Sequence, residues 1–79
     1  MDVHEGVNRL IDAWCQRRCL TALREILRGW PIEGGLTDQW AEGLDALRAV
    51  RALADHELTD SERNQLEALI STTERLAFR

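Results

Sequence analysis

"WCQRRCLTAL", residues 14–23, decides how this chain folds, because the apolar pattern changes phase inside it. Upstream, Val3, Val7, Leu10, Ile11 and Trp14 fall within one stripe at helical spacing. Downstream, Leu20, Leu23, Ile26, Leu27 and Trp30 make a second stripe. On one continuous helix the second stripe would lie nearly opposite the first, with the jump at Arg17 and Arg18. A straight helix in a small monomer cannot bury both. The spacing therefore predicts helices over about 2–16 and 18–29 with a tight break near 16–19, although no Gly or Pro stands there. The rival is an unbroken helix whose second face is covered by another subunit.

Two more helices follow. Thr37 is a candidate N-cap, with Asp38 opposing the positive end of the helix dipole. Trp40, Leu44, Leu47, Val50 and Ala54 form the expected core side, with Leu53 at its margin. In "LTDSER", residues 58–63, Thr59 and Glu62 have capping-box spacing and Leu58 is a candidate staple. Leu66, Leu69, Ile70, Thr73, Leu76 and Ala77 then share one face, and no segment shows the strict alternation of a half-buried strand. The expected fold is all-α, a small bundle of four amphipathic helices arranged as two helical hairpins, in one domain over 1–79. The connection "RGWPIEGGLTDQW", residues 28–40, reads as the corner between the hairpins. Gly29 or Trp30-Pro31 ends the second helix, Gly34 and Gly35 let the chain turn, Leu36 packs back, and Trp30 and Trp40 close the core.

Composition narrows the function classes. With 79 residues, a single core stabilises the fold by only about 3 to 5 kcal/mol. Hydrophobic residues make up 44% and charged residues 30%, as in a soluble globular domain rather than a disordered one. No apolar run is long enough to span a bilayer, and the acidic start "MDVHEG" is unlike a signal peptide, so the expected location is cytoplasmic. All ten basic residues are arginine and tyrosine is absent, which excludes a Schiff-base lysine, a phosphate-loop lysine and a tyrosine general acid. From codon usage, the arginine bias leads to the expectation of a GC-rich genome and so of a bacterial source.

The formal net charge of −4 is unevenly placed: residues 1–30 carry five arginines against four acids, and residues 31–79 five against ten. Such a balance disfavours nucleic acid, which needs a concentrated positive face. Arg17, Arg18, Arg24 and Arg28 form the one basic patch, and carry the alternative reading of a small regulator that contacts nucleic acid. Against it stand the acidic remainder and the lack of base-reading Asn or Gln on that helix.

Metal and redox chemistry find little support. Cys15 and Cys19 on an unbroken helix would hold their Cβ atoms about 5.5 to 6 Å apart, too far for a relaxed disulfide. Zinc would need two more ligands, and only His4 and His56 are available, far away in sequence. Buried reduced thiols are the preferred reading. Ser61 after Asp60 at a helix start invites comparison with acyl carrier proteins, but it opens the last helix and Glu62 stands where that motif has leucine; the capping box accounts for these residues. No catalytic set, metal site or cofactor motif emerges. The expectation is a non-enzymatic protein–protein interaction module that binds a protein partner or self-associates as a homo-oligomer. Trp30, Ile32, Leu76 and Phe78, at helix ends, are its candidate interaction surface.

Overall fold

The computed structural model describes residues 2–30, 32 and 37–77, with Thr37 and Asp38 described in backbone only. Helix α1 spans Val3–Arg17 and begins at Asp2, whose carboxylate accepts from the Glu5 amide at 3.2 Å. It ends at Arg18, which sits in the left-handed region at φ 56° and ψ 47°. There the Cys19 amide donates to the Trp14 carbonyl at 2.8 Å and the Arg18 amide to the Cys15 carbonyl at 3.3 Å. These are the paired bonds of a Schellman motif, which glycine usually closes because it has no Cβ to clash. Helix α2, Leu20–Ile26, starts immediately after Cys19. The phase argument thus located the break, and no turn residue announced it because arginine fills the left-handed position.

Helix α3 spans Thr37–Leu53, a 3₁₀ turn covers Asp55–Glu57, and helix α4 spans Asp60–Ala77. The capping box at the start of α4 forms as its spacing predicts: the Glu62 amide donates to Thr59 Oγ1, and the Thr59 amide to Glu62 Oε1, both at 3.1 Å. Ion pairs Arg51–Glu67 and Arg48–Glu74 take their partners in opposite sequence order, so α3 and α4 run antiparallel. The protein is a small all-α bundle of four helices, without strands among the described residues.

Its core joins Val3, Val7, Leu10 and Trp14 of α1 to Leu44, Leu47 and Val50 of α3 and to Leu66, Leu69 and Ile70 of α4. Burying these branched and aromatic side chains is the main force holding the helices together. Gly6 allows α1 to approach α4 closely, since a Cβ there would stand 2.8 Å from Leu69 Cδ2. Trp40 and Leu76 are half-buried against the core, and Leu53 is exposed. No helix among the described residues is long and apolar enough to cross a membrane.

Helix α2 departs from its expected stripe. Its buried residues are Ala22, Glu25 and Ile26, whereas Leu20 is 70% and Leu27 56% exposed. The helix is turned by about one residue step from the phase its leucines suggest. Small residues bring it close to α3: a Cβ on Gly29 would lie 2.5 Å from the Glu42 carbonyl oxygen and 2.9 Å from Ala46 Cβ. Backbone contact of this kind needs Gly29 inward, and with Ala22 buried as well the bulkier leucines are left outside.

Trp30 completes the core beyond α2. It is buried, and its indole N–H donates to the Gly43 carbonyl at 3.2 Å. Trp40 meets it edge-on at 6.1 Å between ring centroids, and His4 lies within 5.7 Å of both rings. Two tryptophans therefore close one end of the core, as the corner reading required. The expected turn at Gly34 and Gly35, Leu36 and Pro31 lie outside the described residues.

Candidate functional site

Two features set α2 apart from the other helices: how its inner side is held, and what its outer side shows. Cys19, at its N-cap position, makes no capping bond with its side chain. The orphan amides are met instead by Glu57 of the 3₁₀ turn, whose carboxylate accepts from the Ala22 amide at 2.9 Å and the Thr21 amide at 3.4 Å. The Ala22 bond, opposed by desolvation and helped by Thr21, keeps the Glu57 carboxyl below its ordinary value of 4.5.

Arg17 fastens the same junction. Its guanidinium forks onto both oxygens of Glu62, with Nη2 to Oε1 at 2.7 Å, and also donates to the Glu57 carbonyl at 3.0 Å. Cys19 Sγ lies 3.4 Å from the same nitrogen. The Arg17 bonds are the largest influence holding the Glu62 carboxyl below its ordinary range, against desolvation, and the Thr59 amide adds to them. Glu62 in turn raises the Arg17 guanidinium above its already high value. The Trp14 indole N–H also faces Glu62 closely enough to favour its charge, yet it completes no hydrogen bond. One carboxylate thus serves both the α4 capping box and a cross-link to the end of α1. Arg63 similarly pins the 3₁₀ turn, reaching Asp55 Oδ1 and Asp60 Oδ1, each at 2.7 Å.

The outer side of α2 is different in character. Leu20 and Leu27 stand two turns apart, with Leu23 half-buried beside them. Arg24 and Arg28 flank this ridge with side chains 67% and 69% exposed. Both lean on Glu25, whose side chain is only 2% exposed, at 3.6 and 3.3 Å. A single buried carboxylate therefore faces two exposed guanidiniums. Beyond Leu27 the surface dips into a hollow of about 250 Å³ bordered by Trp30, Ile32 and Glu42.

The anticipated basic patch is consequently divided. All four arginines are exposed, but Arg17 is committed to Glu62, which leaves Arg18, Arg24 and Arg28 to form the patch. Of the anticipated interaction surface, Trp30 is a core residue, 4% exposed, and Ile32 and Leu76 are half-buried against the core; Phe78 lies outside the described residues. Burial claims Trp30 because its ring fills the space over Gly43, where a Cβ would stand 3.2 Å from the indole. The exposed leucines of α2 escaped sequence reasoning for the complementary reason: their spacing matches a core stripe, and Ala22 and Glu25 have no apolar signal to outweigh it.

Both cysteines are free, Cys15 exposed on α1 and Cys19 buried at the junction, so the reading of two buried thiols holds for Cys19 alone. Among the described residues no three His, Cys, Asp or Glu side chains gather as ligands for a metal ion. No protein-family model, curated protein or solved structure matches the chain.

Proposed function

We propose that the protein is a non-enzymatic interaction module that docks a protein partner through the outer side of α2. One observation carries this reading: Leu20 and Leu27 project into solvent at 70% and 56% exposure from a helix whose opposite side is packed and capped. Two leucines two turns apart, with Leu23 between them, present the apolar seam that a partner helix engages at i, i+3, i+4 and i+7 spacing. The inner side supplies rigidity. Glu57, Arg17 and Gly29 fix α2 on the bundle, so little ordering remains to oppose association.

The test is a display library of short amphipathic helices with a fixed apolar seam, panned on the wild-type chain and on the Leu20→Ser, Leu27→Ser double variant. Retention by the wild type and loss from the double variant supports docking through α2. Equal retention by both ends the proposal. Sedimentation equilibrium from about 5 to 500 µM is the companion measurement, since oligomer populations follow mass action. A dimer abolished by the same two substitutions would keep α2 as the docking side, with a second copy as its occupant.

A further inference from the structure

We infer that the occupant of this side is an acidic amphipathic helix of another protein. The inference rests on the docking role proposed for α2 and adds the chemistry of what docks there. Arg24 and Arg28 lie on one flank of the leucine ridge, and their shared ionic partner among the described residues is the buried Glu25. Two guanidiniums against one carboxylate leave an uncompensated positive charge at the rim of an apolar strip. Arg18, just before α2, is likewise exposed and in no ion pair among the described residues. Elsewhere the balance is reversed: the chain carries −4 overall, and Arg48, Arg51 and Arg63 each meet acids on the bundle.

A helix with leucine-like residues along its seam and carboxylates beside them would cover Leu20 and Leu27. It would also give Arg24 and Arg28 the bidentate partners that guanidinium geometry favours. A second copy fits less well. In a two-fold contact of α2 on α2, Arg24 and Arg28 would face their own copies, and like charges across an interface are repulsive. A head-to-tail contact would leave another α2 open at each step and favour growth into chains. Polyanionic nucleic acid would satisfy the arginines but leave the leucines in water.

The charge positions of the display library decide the matter when the residues flanking the seam are open to Glu, Gln and Lys. On the wild-type chain, Glu is expected to be enriched over Lys by about tenfold. The preference should reverse toward Lys on a variant carrying Arg24→Glu and Arg28→Glu with Glu25→Gln, the last change sparing the bundle a buried carboxylate without partners. Circular dichroism confirms that each variant is folded. Should the triple variant fail to fold, salt replaces it: binding of a selected Glu-rich helix to the wild type must weaken as NaCl rises, through screening of the arginine contacts.

Helices retained through Leu20 and Leu27 but without charge preference would overturn the acidic occupant and leave the docking role standing. Retention that ignores Leu20→Ser and Leu27→Ser would overturn both. A salt-resistant dimer abolished by those substitutions, or displacement of the selected helix by duplex DNA, would likewise refute the acidic occupant.

Discussion

The two sides of α2 invert the usual assignment of residues to core and surface. Inward lie an alanine, a glutamate and an isoleucine; outward lie two leucines flanked on one side by arginines. Side-chain hydrophobicity alone would place the leucines inside, as it does for α1 and α4. What overrides it is geometry at the ends of the helix. Glu57 must reach the Ala22 and Thr21 amides at one end, and Gly29 must pass the α3 backbone at the other. With both ends fixed, the rotation of a seven-residue helix is fixed as well. The comparison teaches that a short helix anchored by polar contacts can keep apolar residues available on its surface.

Truncation on the inner side is the most damaging way to test this contrast. Ile26 is fully buried, and Ile26→Ala should cost about 2 to 5 kcal/mol, the transfer energy of the lost atoms plus the cavity left behind. For a domain of this size that approaches the whole stability, so urea denaturation should show a substantial unfolded fraction without denaturant. A midpoint near that of the wild type would mean that α2 is less tightly packed than its burial indicates.

Acid should loosen the anchoring of α2. Glu57 and Glu62 have folded-state pKa values below the ordinary 4.5. Each therefore stabilises the fold above the unfolded value, and that contribution is lost as pH falls through the lower folded value. The urea midpoint should drop between about pH 5 and pH 3. Glu57→Gln should flatten part of this drop, leave the share of Glu62, and speed hydrogen exchange at the Thr21 and Ala22 amides at neutral pH. An unchanged acid profile in Glu57→Gln would show that its charge does not hold the start of α2.

A smaller effect, of opposite sign, is expected at the break between α1 and α2. Arg18 adopts the left-handed conformation at φ 56°, and glycine would adopt it without the Cβ clash. Arg18→Gly should raise stability by about 0.5 to 1 kcal/mol, the steric relief less the larger entropy that glycine loses on folding. Calorimetry checks it through a higher Tm. A lower Tm would place the strength of the joint in the arginine side chain.

Much of the fold could be read before any coordinates. The α4 cap followed from Thr59 and Glu62, and the cores of α1, α3 and α4 from apolar spacing, because those helices are long enough for one stripe to dominate. The break at Arg18 followed from phase, since two stripes of different phase cannot share one straight axis. The orientation of α2 could not be read in this way. It depends on Glu57, some 35 residues distant from the Ala22 amide it accepts from, and on the closeness of Gly29 to Glu42. Neither contact leaves a local trace. The pairing of Arg17 leaves no local trace for the same reason: its partner Glu62 lies 45 positions away.

The gentlest substitutions test the contrast most sharply. Leu20→Ser and Leu27→Ser remove large apolar side chains from a small protein, which inside a core would be ruinous. On the outer side of α2 each should change stability by no more than about 0.5 kcal/mol, since a solvated side chain gives up little burial and serine has only modestly lower helix propensity. Urea melts beside that of Ile26→Ala make the comparison within one helix. If either serine variant lost as much stability as Ile26→Ala, the leucines would be core residues and α2 would have no apolar side to offer. If both remain as stable as the wild type, two leucines that do not hold the fold together are left free to hold a partner.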